Sequence, residues 1–100
     1  MAYHVALELL AAVKASNIPD AKLRDEAIRS AKSACLNCAE GAGRVTRADK
    51  ARAFAVARGE AGEVAAVEIA AISGDATRQA AKGCIVIGDR LVALLTGLIR

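Results

Sequence analysis

The chain has 100 residues, a net charge of +3, 55% hydrophobic residues and two aromatics. This is the length of one domain; the apolar content excludes disorder, and no apolar run approaches the ~20 residues of a membrane-spanning helix before a charge interrupts it. An odd count of three cysteines argues against a disulfide framework and fits a reducing, cytoplasmic setting, as does an N-terminus with no basic start and with Glu8 inside its apolar stretch.

Four helices are predicted and no strand. The first covers about 2–16, with Val5, Leu9, Ala12 and Val13 at helical spacing and Leu10 alongside. Asn17-Ile18-Pro19 breaks it, and Pro19 suits the first turn of a second helix over about 19–42. There Leu23, Ala27, Ile28, Ala31, Ala34, Cys35 and Cys38 form one stripe, and Gly41 and Gly43 weaken and end the helix. Thr46 is a good N-cap for a third helix over about 46–73, with Asp49 three residues on in a variant capping box. Its apolar residues Phe54, Val56, Ala57, Ala61, Val64, Val67, Ile69 and Ile72 cover most of its circumference, so more than one partner must cover it. Gly74 closes it and Asp75 caps a fourth helix over about 75–99, lined by Cys84, Ile87, Leu91, Leu94, Leu95 and Leu98. Short connections make neighbours antiparallel, giving an all-α, up-down-up-down four-helix bundle as a single domain.

Alanine accounts for 25 positions. It is the best helix former, but it buries little area, and burial stabilises by only about 25 cal/mol per Å². A thin core in a small chain is best supplemented by association with further copies, so the composition predicts a homo-oligomer. Charge is polarised along the chain. Arg44, Arg47, Lys50, Arg52 and Arg58 face a single acid, Asp49, whereas the stretch from Glu60 to Asp75 holds four acids and no base.

The run Ser33-Ala34-Cys35-Leu36-Asn37-Cys38-Ala39-Glu40-Gly41-Ala42-Gly43-Arg44 resembles the four-helix-bundle proteins of intervening sequences in large-subunit ribosomal RNA genes, and also the accessory variability protein of diversity-generating retroelements. Their pattern, roughly S-I-P-x-N-I-A-E-G-x-G-R, is matched at Ser33, Asn37, Ala39, Glu40, Gly41, Gly43 and Arg44. Cys35 stands in place of the proline and Cys38 in place of the isoleucine, and the first connection is shorter than usual. Arg29-Ser30-Ala31 upstream is similar as well, as is Phe54 followed by Ala57-Arg58-Gly59 and Glu63, with Glu60 where serine is usual. The resemblance implies a homopentameric ring of bundles. For the retroelement branch it implies nucleic-acid binding beside a reverse transcriptase, and for the ribosomal branch no established activity.

Asn37, Glu40, Gly41 and Arg44 share one helix face, with Glu40 and Arg44 in the favourable i,i+4 order. A structural polar network is the favoured reading of this face. Folding the second and third helices about a turn near Val45 brings together residues whose numbers sum to about 90. That predicts a partly buried Arg29–Glu63 ion pair, with Glu60 close by; the same construction about Gly74 sets Arg58 near Asp89. The basic residues Arg44, Arg47, Lys50, Arg52 and Arg58 open the third helix, where cations oppose the helix dipole and a phosphate backbone would offset them. A solvated end whose charges pair with neighbouring subunits is an equal alternative. Scarce aromatics argue against base stacking as the mode.

Cys35-x-x-Cys38 lies in the second half of its helix, where the dipole does not activate a thiol, so small buried hydrophobes are favoured over redox or metal chemistry. Gly41-Ala42-Gly43 lacks the spacing and the preceding strand of a phosphate loop. The sole histidine, His4, leaves no nucleophile–base set. The expected protein is therefore a non-enzyme without cofactor or metal. RNA or DNA, a reverse transcriptase and copies of itself are its candidate partners; a protein-interaction scaffold and an orphan structural bundle are the alternatives.

Overall fold

The computed structural model describes the backbone of residues 1–71 and 75–100 and the side chains of residues 1–66 and 82–100. It contains four helices, α1 (Ala2–Ser16), α2 (Ala21–Gly43), α3 (Arg47–Ala71) and α4 (Asp75–Ile99), and no strand among the described residues. Gly74, expected to end α3, and Ile72 lie outside the described residues, and the side chains of Val67 and Ile69 are outside them too. α2 begins two residues later than the proline suggested. Asp20 takes the N-cap, its carboxylate accepting the Leu23 N–H at 2.9 Å, which satisfies one of the orphan amides of the first turn.

Each helix packs on two neighbours, α1 on α2 and α4, and α3 on α2 and α4. Cross-helix pairs show that the neighbours run antiparallel: Arg29 with Glu63 and Lys50 with Gly41 between α2 and α3, Glu8 with Arg90 between α1 and α4. One end of a bundle 45 × 20 × 18 Å in extent thus carries the α2–α3 turn, the start of α1 and the end of α4.

One cluster drawn from all four helices forms the core. Val5, Ala6, Leu9 and Val13 of α1 meet Ala27, Ala31, Cys35 and Cys38 of α2, Phe54, Ala57, Ala61 and Val64 of α3, and Cys84, Leu91 and Leu95 of α4. Ile18, read from sequence only as part of a break, is almost fully buried and plugs the far end of this core. Asn17 beside it adopts a left-handed conformation (φ 57°), which asparagine tolerates, and Arg24 donates to the Ile18 carbonyl at 3.1 Å. Two expected core residues turn outward instead: Val56 is 47% and Leu98 51% exposed. The outward side of α3 continues through Ala55, Gly59, Gly62 and Ala66, all exposed and at helical spacing. The single copy therefore covers α3 from two sides, and its third side stays open.

Candidate functional site

The end of α2 and the start of α3 are held together by side chains that satisfy helix termini. The Thr46 hydroxyl accepts the Asp49 N–H at 3.1 Å, the N-cap bond expected from sequence. Lys50 reaches back to the carbonyls of Gly41 and Ala42 at 3.4 and 3.3 Å, placing a cation on the negative end of the α2 dipole. Gly41 is needed for close packing. A Cβ built there would lie 2.5, 2.7 and 2.9 Å from three ring atoms of Phe54, so only a residue without a side chain lets the ring lie against the backbone of α2. Hairpin register sets Gly41 opposite Lys50, a turn away from Phe54, and gave no warning of this contact.

Between these elements lies a cleft of about 160 Å³ lined by Asn37, Glu40, Arg44, Asp49, Arg52, Ala53 and Val56. The predicted Glu40–Arg44 pair forms, at 3.0 Å, on the exposed side of the cleft. Asn37 does not join it; its amide donates to the Ser33 carbonyl at 2.9 Å and to the Ser33 hydroxyl at 3.3 Å. Arg52 has no hydrogen bond or ion pair among the described residues, so its guanidinium faces the cleft and solvent uncommitted.

The five expected cations therefore have different fates. Arg44, Arg47, Lys50 and Arg52 gather at one end of the bundle. Arg47 donates to the Arg100 carbonyl at 2.5 Å and Lys50 to α2, so both are tethered to helix C-termini but keep their charge. Arg58 lies about 9 Å beyond Arg52 along α3 by helical rise. It donates to the Thr96 hydroxyl at 3.4 Å rather than pairing with Asp89, as side chains on a helix lean toward its N-terminus, here the C-terminal end of the antiparallel α4.

Arg29 and Glu63 do meet, at 3.4 Å, but as part of a surface cluster: Arg29 also contacts Glu26 at 2.5 Å and Glu60 at 3.8 Å. The expectation of a partly buried pair is corrected, because the two side chains are 58% and 39% exposed. The Arg29 hydrogen bond holds the Glu26 carboxyl below its usual range, while hydrogen bonding with Glu26 and the nearby Glu60 raise Glu63. The expected polar network is thus two separate features, the Arg29 cluster and the Glu40–Arg44 cleft, with Asn37 turned to its own helix.

The cysteines are buried. Burial, assisted by the neighbouring Cys35, pushes the Cys38 thiol up to about 11, the opposite of the lowering that redox thiols show. A second, apolar cavity of about 220 Å³ sits at the same end of the bundle, lined by Met1, Ala2, Tyr3, Cys38, Ala42, Phe54 and Leu98. Sequence reasoning missed it because its walls come from all four helices.

Among the described residues, no helix is long and apolar enough to cross a membrane. A family model described as 23S rRNA-intervening sequence protein matches residues 1–95. No curated protein and no solved structure matches the chain.

Proposed function

Because the chain belongs to the 23S rRNA-intervening sequence protein family, we propose that it is a non-catalytic cytoplasmic accessory protein that self-associates and holds a nucleic-acid backbone at its basic end. The observation that carries this reading is the uncommitted guanidinium of Arg52, in a cleft beside Arg44 at the end that also gathers Arg47 and Lys50. A guanidinium presents paired donors that match a phosphate. Contacts of this kind position a backbone and carry no sequence information. Glu40 is the competitor for Arg44, and a phosphate displaces it because the pair is exposed and weak.

Self-association supports the same reading. The outward side of α3 offers Ala55, Gly59, Gly62 and Ala66, and a Cβ added at either glycine meets nothing within 4 Å. A second helix can approach such a strip closely, and the thin alanine core gives a reason for it to do so. The family resemblance makes five the number of copies expected, with the basic ends repeated around a ring and, in the retroelement branch, presented beside a reverse transcriptase.

The test is fluorescence anisotropy with labelled RNA and DNA duplexes at about 50 and 200 mM salt. Binding that is indifferent to sequence, falls steeply with salt and is lost in Arg52→Glu is expected. No binding at the lower salt, or full binding by Arg52→Glu, refutes the proposal.

A further inference from the structure

The apolar cavity where the four helix ends converge is not explained by phosphate binding. Seven residues line it, Met1, Ala2, Tyr3, Cys38, Ala42, Phe54 and Leu98, and none of their side chains is charged. Its floor is the Phe54 ring and the almost fully buried Cys38, whereas Met1, Tyr3 and Leu98 stand exposed at its mouth. Val45, in the adjoining α2–α3 turn, is 92% exposed. Half of the eight large hydrophobics that the described surface exposes are therefore collected at one end. A purely polar ligand gains nothing from such a rim, and leaving it open to water is unfavourable.

Size and charge narrow the occupant. At about 220 Å³ the cavity is below the roughly 300–1,000 Å³ of sites for cofactor-sized ligands; it has room for one large side chain. Cations border it. Lys50 Nζ lies 3.3 Å from the carbonyl of Ala42, itself a wall residue, and Arg47 is bonded to the carbonyl of Arg100, two positions beyond the wall residue Leu98. Carboxylates flanking an inserted apolar side chain would meet these cations, whereas basic flanks would be repelled.

We propose that this end cavity is a docking site for an acidic peptide segment of a partner protein, which inserts one leucine or phenylalanine side chain between Tyr3, Phe54 and Leu98 while its carboxylates face Lys50 and Arg47. The site is distinct from the Arg52 cleft, so both can be occupied on one subunit.

The probe is a fluorescein-labelled acidic peptide, Asp-Glu-Leu-Phe-Glu-Asp, titrated into the full chain. Anisotropy reads affinity, and amide chemical shifts read location. Shifts confined to the cavity residues are expected, with binding weakened about tenfold or more when Leu-Phe becomes Ser-Ser and similarly when the flanks become lysine. In Ala42→Leu, where an exposed wall residue is enlarged to fill the cavity, peptide binding falls by a similar factor and nucleic-acid binding stays intact; Arg52→Glu does the reverse. Equal binding of the Ser-Ser peptide, shifts elsewhere, or no binding overturns the proposal. So do cavity shifts that follow protein concentration without peptide, which would make a second copy the occupant.

Discussion

Replacing glycine by alanine at two kinds of position in this bundle should move stability in opposite directions. In a helix interior the change is favourable by up to about 1 kcal/mol, because the unfolded chain loses freedom and the helix gains a better former. At Gly83 and Gly97 nothing lies within 4 Å of the added Cβ, so both substitutions should deliver that gain. At Gly41 the Cβ would sit 2.5–2.9 Å from Cε1, Cδ1 and Cζ of Phe54, where carbon atoms prefer about 3.5–4.0 Å. The ring is buried and packed against the α2 backbone, with the end cavity on another side. Overpacking of this kind costs about 1–3 kcal/mol, so after the propensity gain Gly41→Ala should lose about 1 kcal/mol, or roughly 4–8 °C in Tm for a chain this size. Urea titrations of the three variants should separate Gly41→Ala from the other two by about 2 kcal/mol at unchanged slope. A Gly41→Ala variant as stable as Gly83→Ala would refute the packing argument.

Two further predictions concern the thiols and the caps. The folded state holds the Cys38 proton more tightly than the unfolded chain, with an ordinary value of 9.0 against about 11. This contribution to stability, roughly 2–3 kcal/mol, is fully present below pH 9 and is lost as pH rises toward 11. Stability measured up to about pH 11 should fall more steeply for the parent than for Cys38→Ala, and equal slopes would count against a buried neutral thiol. Asp20→Ala removes the side-chain acceptor of the Leu23 N–H and should cost about 1 kcal/mol, most of which Asp20→Ser should restore; a loss that serine fails to restore would mean the carboxylate acts other than as a cap.

Helices were legible where the chain states them locally. Thr46 announces α3 and then caps it, and short connections around Pro19 and Val45 leave neighbours no choice but to run antiparallel. The Glu40–Arg44 pair and the approach of Arg29 to Glu63 follow from spacing alone. What spacing does not carry is direction around the helix once the residues are all small. Val56 and Ala57 are equally plausible core residues by type, yet one is 47% exposed and the other buried, because an alanine-rich helix has no strong apolar side to fix its rotation. Exposure of the Arg29 cluster escaped for the same reason. The end cavity and the Gly41–Phe54 contact depend on how four helix ends converge, which no pairwise pattern encodes.

The cations at the start of α3 looked unbalanced in sequence because only their own helix dipole was in view. In the bundle the ends of α2 and α4 lie beside them, and their carbonyls take Lys50 and Arg47. Of the four cations gathered there, that leaves Arg52 without a bond among the described residues and Arg44 held by an exposed glutamate. One or two phosphate contacts give feeble binding at physiological salt. Useful affinity must then come from several subunits acting on one strand, where each later contact is made at high effective concentration. Nucleic-acid binding should therefore be coupled to assembly. Gly59→Leu, which places a bulky side chain on the open strip of α3 where an added Cβ meets nothing within 4 Å, should keep its helicity, sediment as a smaller species, and bind duplex with a much shallower salt dependence. If the dissociated subunit retains the parent's affinity and salt slope, Arg52 and Arg44 are not the groups that hold the phosphates.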